Sequence, residues 1–203
     1  MKNWYKTSIT VREIINSTSP NDRIIMSKQG DYNFVDYSGS QRISMKPKGL
    51  WYAVGNDWLQ FVAREFGGGF GPHLFKIDIN PSAMIMIHDH DSFIRFANEY
   101  GIKDDPLAIF MNRVETIMNI DWIRVASDYS GIEISPYMGR FRLSNHMWYY
   151  GWDVASGCIW REDAINDYEF LYRNIEPLSK KDHSEYKDDV KDKKEVEEVN
   201  EDI

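Results

Sequence analysis

"KPKGLWYAVGNDWLQFVAREF", residues 46–66, is the stretch on which the fold turns. KGLWYA (48–53) reads as a short apolar strand entered after Pro47. Asn56 or Asp57 then caps a helix over 57–66, in which Trp58, Phe61, Val62 and Glu65 recur at helical spacing. GGGFGP (67–72) breaks that helix. HLFKIDI (73–79) alternates as a strand, NPS turns the chain, and AMIMI (83–87) reads as a buried strand. Two strands in succession with only a turn between them do not fit the regular alternation of a doubly wound sheet. The expectation is an α+β fold, a split and mostly antiparallel sheet with short interspersed helices.

The flanking segments extend the same pattern. RIIMSK (23–28) and YNFVDY (32–37) read as strands on either side of a QGD turn. DSFIRFANEYG (91–101) starts at a capping Asp91 and ends at a glycine, so a helix is expected. PLAIFMNRVETIMN (106–119) and DWIRVASDY (121–129) read as helical, the second capped by Asp121. GIEISPY (131–137) and SGCIW (156–160) read as strands, and REDAINDYEFLYRN (161–174) as a capped turn or helix. No linker or internal repeat interrupts residues 1–178, which are expected to form one globular domain.

Residues 179–203 hold ten Asp/Glu and six Lys without a continuous apolar stripe, and read as a disordered acidic tail. The formal charge of the whole chain is −8. A mildly acidic body argues against nucleic-acid binding by bulk charge. One cysteine excludes an intramolecular disulfide. The first twenty residues carry charges at Lys6, Arg12 and Glu13 and no long apolar core, so no secretory leader is expected. No window approaches a membrane span. A cytoplasmic protein without membrane association is the expectation.

Three local features are candidates for chemistry. HDHD (88–91) places His88 and His90 two apart, a spacing that suits a divalent metal on a strand. The segment leaves a strand for a helix, however, and reads as a polar turn, so no metal is expected. GGGFG (67–71) has the composition of a phosphate loop, but it follows a helix and leads into a strand, the reverse of what that role needs. Cys158 lies in an apolar strand and reads as a buried thiol rather than a nucleophile. Trp148, Tyr149, Tyr150, Trp152 and Trp160 read as an aromatic core cluster, with Asp153 capping a turn.

The order of "GLWYA" and its helix, "HLFKIDINPSAMIMI", "SDYSGIEI" and "SGCIWREDAI" resembles the ADP-ribosyltransferase-like superfamily, the group of poly-ADP-ribose polymerases and diphtheria-type toxins, over roughly residues 23–167. The resemblance implies NAD as substrate, bound in a cleft between the 49–53 and 156–160 strands, and transfer of ADP-ribose to a protein or nucleic-acid acceptor. It implies that Trp51 and Tyr52 flank a nicotinamide pocket and that Phe61 stacks on a ring. The first strand, where the family has a His or Arg, offers Ser27, Lys28 or Arg23. The family's catalytic glutamate falls at Ser156, with Asp153 three residues earlier. Asp153 and Ser156 are therefore the expected catalytic positions, Asp153 supplying the carboxylate that an oxocarbenium-like centre needs. Two other readings stay open: a non-catalytic binding protein of the same fold, and an α+β interaction module without a ligand pocket.

Overall fold

The computed structural model describes residues 9–31, 33–66, 71–173 and 175–176. The strands are β1 (Ile9–Thr10), β2 (Arg23–Ser27), β3 (Ile43–Ser44), β4 (Leu50–Val54), β5 (His73–Ile79), β6 (Met84–Ile87), β7 (Ile120–Asp121), β8 (Gly131–Ile134), β9 (Ser156–Ile159), β10 (Ile165–Tyr172) and β11 (Ile175–Glu176). The α-helices are α1 (Val11–Ser17), α2 (Asp57–Phe66), α3 (His90–Tyr100), α4 (Pro106–Phe110) and α5 (Trp122–Asp128). Seven strands form the main sheet, in the order β10-β5-β2-β4-β9-β8-β6. Its pairings are antiparallel except for β6 with β8. This is the α+β class, as expected.

The sheet cannot be flat. β5 and β6 stand five places apart in the strand order, yet only Asn80–Ala83 join them. Five strand spacings of ~4.8 Å would need ~24 Å. Five Cα steps reach about 18 Å at most. The sheet therefore bends until its two halves face each other. One apolar cluster records the closure, joining Ile25, Phe75 and Ile77 of the β10-β5-β2 half to Val54, Ile159 and Met84 of the other.

The bend is centred on β2 and β4. They share two register pairs, Arg23 with Val54 and Ile24 with Ala53. Beyond Ile24, β2 continues along β5 alone, while Leu50–Ala53 of β4 run along β9. The sheet is thus forked at its middle. Helices cover the outer face on each side of the fork. α1 and α2 pack Val11, Ile14, Leu59 and Ala63 on Ile24, Ala53 and Leu74. α3 and α5 bring Phe93, Phe96, Trp122 and Val125 to Ile132, Ile134 and Cys158.

Local chemistry sets the helix ends. Thr10 and Glu13 form a reciprocal capping box at α1, a helix that the T-x-x-E spacing signals. Asp121 accepts from the Arg124 N–H at the start of α5. At α3 the cap is Asp89, not Asp91: its side chain accepts from Ser92, and Asp91 lies inside the first turn.

Three further sequence expectations are corrected. Residues 33–37 form no strand: Asp36 accepts from the Ser38 N–H and hydroxyl, and this turn wins over the apolar alternation. The helix expected over 106–119 ends at Phe110, and two residues later Asn112 has a left-handed φ of 54°. The helical alternative for 161–174 fails because Ile165–Tyr172 pairs along β5, after a single turn at Glu162–Ala164. Strand pairing there satisfies a whole row of backbone groups that β5 would otherwise leave open. The expected tail, 179–203, lies outside the described residues. No helix among the described residues is long and apolar enough to cross a membrane.

Candidate functional site

The fork opens a cavity of about 350 Å³. Side chains alternate along a strand, so Ile24 and Met26 of β2, Trp51 and Ala53 of β4 and Ser156 of β9 share one face. All five line the cavity, and Trp58 of α2 joins them from above. Trp152, Asp153 and Val154, in the approach to β9, close the far wall, and Lys46 borders it before β4 begins.

The walls are aromatic and fixed. Trp51 meets Trp152 edge-on at 4.9 Å between ring centres. Trp152 is 1% exposed and sits in the large aromatic cluster with Trp148, Tyr149 and Phe93. The expected cluster of 148–160 therefore forms, except that Tyr150 stays outside it, 46% exposed. Trp58 is stacked on Phe61 at 5.4 Å.

Beneath the cavity floor, on the opposite face, three polar side chains meet. Tyr52, Gly157 and Glu133 are lateral neighbours on β4, β9 and β8. Gly157 has no side chain, so the Tyr52 ring crosses over it, and the phenol donates to Glu133 Oε2 at 2.8 Å. A Cβ at 157 would overlap the Tyr52 Cζ and hydroxyl. Arg23 reaches the same carboxylate from β2, with Nε on Oε2 at 2.6 Å and Nη2 on Oε1 at 2.9 Å. Such a bidentate pair is the strong form of the interaction. Burial pushes the Tyr52 pKa well above its ordinary value, and the Glu133 charge adds to this, so the phenol remains a donor. Burial alone would lower the Arg23 pKa, but Glu133 overrides it and holds the guanidinium charged. The triad links β2 to β4 and β8 across the fork, where the backbone supplies two register pairs.

The expected site residues divide accordingly. Trp51, Tyr52, Asp153 and Ser156 all border one cavity, although the Tyr52 side chain leaves β4 on the opposite face from Trp51. Ser27, Lys28 and Phe61 do not: β2 presents Met26 instead, Ser27 pairs opposite His73 while its hydroxyl accepts from the Gln29 N–H, and Phe61 backs Trp58. β4 and β9 are directly paired, so the cavity lies over them and in the fork rather than between them. Asp153 accepts from Arg142 Nη2 at 3.0 Å. Ser156 is 8% exposed and donates its hydroxyl to the Val154 carbonyl. Cys158 is fully buried, which pushes its thiol pKa well above the ordinary range and leaves it a poor nucleophile. His88 and His90 are exposed at the α3 start, and among the described residues no group of three or more His, Cys, Asp or Glu could hold a metal ion.

Sequence reasoning passed over Lys46, Arg142 and Glu133. Glu133 carried a signal: a lone carboxylate within the apolar strand GIEI implies either exposure or a buried partner. Lys46 and Arg142 carried none, because only the folded chain brings them to Asp153. No family model, curated protein or solved structure matches the chain.

Proposed function

We propose that the cavity is a nucleotide-binding cleft whose ligand is NAD or a related nucleotide. One observation carries the reading: a cavity lined by three tryptophans, Trp51, Trp58 and Trp152, is lined also by charged and hydroxyl groups, Lys46, Asp153 and Ser156. Planar heteroaromatic rings favour such faces, and a cationic nicotinamide favours them further. A few convergent polar groups in a mainly apolar cleft are the usual makeup of a small-molecule site. Titration of the protein with NAD, followed by tryptophan fluorescence and calorimetry, tests this. Saturable quenching with a matching heat supports it, and the absence of both removes it.

Two fates of the bound ligand differ in chemistry. In the transferase reading, Asp153 orients the ribose and steadies positive charge at its anomeric carbon while ADP-ribose passes to a protein or nucleic-acid acceptor. In the binding reading no transfer occurs. The hydrogen bonds favour the second: Arg142 occupies the Asp153 carboxylate, and the Ser156 hydroxyl is committed to the Val154 carbonyl. Transfer through Asp153 requires the ligand to draw Arg142 away. Incubation with labelled NAD separates the two. Release of nicotinamide that is lost in Asp153→Ala supports transfer, and binding without turnover supports the alternative.

A further inference from the structure

Three charged groups meet at one wall of the cavity. Lys46 and Asp153 line it, and Arg142 donates to Asp153. Lys46 interacts with both, attracted by Asp153 and repelled by Arg142. Two cations thus stand near one carboxylate that only Arg142 contacts, and the wall is locally positive on a chain of formal charge −8. The Lys46 ammonium stands 4.9 Å from the Trp51 ring centre, over the face that a planar ligand would use. Among the described residues it makes no hydrogen bond and no ion pair. Its stem passes close over Gly151: a Cβ added there would meet Lys46 Cε at 2.9 Å, so the bare glycine backbone leaves the room that the stem takes. Burial lowers the Lys46 pKa, Asp153 opposes this, and three N–H donors are left facing a ring rather than an acceptor.

We propose that this wall is a phosphate subsite. The ring of a phosphorylated nucleotide displaces the Lys46 ammonium from Trp51, and the freed ammonium joins Arg142 in holding the phosphate. The proposal rests on the nucleotide reading of the cavity and narrows it to nucleotides over nucleosides. Arg142 supplies a planar fork and Lys46 a mobile point charge, the usual pairing for a tetrahedral dianion. Lys46 also acts as a selector. A bare nucleoside must break the cation–ring contact without offering its ammonium an acceptor, whereas a nucleotide replaces the contact with a charged hydrogen bond.

The test is calorimetry of the full chain with adenosine, AMP and ADP, on the native protein, Lys46→Met and Lys46→Arg. AMP and ADP are expected to bind at least about tenfold tighter than adenosine, since a charged hydrogen bond is typically worth one to two decades. Lys46→Met closes most of that gap by weakening AMP while adenosine binds as well or better, and Lys46→Arg keeps it. In the native protein AMP affinity falls with added salt and adenosine affinity does not, a readout that needs no variant. Equal binding of adenosine and AMP, or equal weakening of both by Lys46→Met, overturns the phosphate subsite and leaves the nucleotide cleft standing. Failure of all three ligands and NAD to bind overturns both.

Discussion

Replacing Gly157 with alanine adds one methyl group to a buried strand, and its effect follows from the geometry of Tyr52. In an ordinary strand the change would stabilise the protein by about 0.5–1 kcal/mol, because glycine loses more backbone freedom on folding. At position 157 the sign reverses. The new Cβ would overlap the Tyr52 ring and hydroxyl. Tyr52 is 3% exposed and packed in the core between the two halves of the sheet, so the ring cannot simply swing aside. Overpacking of this kind costs about 1–3 kcal/mol. Displacing the phenol also breaks its hydrogen bond to the Glu133 carboxylate, worth about 1.5–3 kcal/mol as a bond to a charged group. Less the backbone gain, the expected loss is about 2–5 kcal/mol, a large share of the ~5–15 kcal/mol typical of a folded domain. Urea unfolding measures it as a fall in midpoint at constant slope. Tyr52→Leu removes the Cε1, Cζ and hydroxyl atoms that the methyl would strike, so in that background Gly157→Ala should cost less than about 1 kcal/mol. A neutral or stabilising Gly157→Ala, or an equal cost in both backgrounds, would refute the proposed crossing of Tyr52 over β9.

The charged groups give two further outcomes. Arg23→Met strands Glu133, whose side chain is 4% exposed, and should cost about 3 kcal/mol, the lower end of the usual range because Arg23 itself is 24% exposed. Adding Glu133→Gln should return part of that stability in urea unfolding; a double variant no more stable than the single one would argue against an ionic triad. Burial, with the nearby His90 charge, holds the His146 pKa below its ordinary 6.5. The unfolded chain therefore takes up a proton at this site before the folded one does, so stability rises with pH and is lost as pH falls from about 6.5 through the folded pKa. The midpoint difference between pH 7.5 and pH 5.5 should shrink in His146→Asn; an unchanged difference would show that His146 titrates alike in both states.

The elements whose own residues carry a clear apolar run or a cap were readable from the sequence. β4 and β9 announce themselves as short apolar runs, and α5 by its capping Asp121. Of the segments that failed, one is decided by distant chain and one by a local turn. Ile165–Tyr172 carries no pattern that excludes a helix, and it becomes a strand because β5 offers an open edge. Val35 and Phe34 look like strand residues, but no strand edge reaches them, and Asp36 closes a turn on Ser38. The four-residue link between β5 and β6 was visible as NPS between two strands. Its consequence, a sheet bent far enough to close, needs the strand order, which periodicity does not carry.

The site was legible in part for the same reason. Trp51 and Ser156 lie on strands whose alternation can be counted, and Asp153 stands three residues before one of them; these reached the cavity. Ser27 lies on β2 but one residue off the cavity parity, which puts Met26 there instead, and Lys28 has the cavity parity but follows the last residue of the strand. Parity also explains the two carboxylates. Glu133 and Tyr52 are lateral neighbours of Gly157, one residue after Ser156 on β9, so both belong to the face away from the cavity. A carboxylate at Glu133 serves the fork, holding β2 to β4 and β8. Only a carboxylate of Ser156 parity, or one in the approach to β9 such as Asp153, meets the cavity. The division of labour between Glu133 and Asp153 thus reduces to one standing on the far face of the sheet and the other in the approach to β9, and Gly157, in register between Tyr52 and Glu133, is what lets Tyr52 join the structural side.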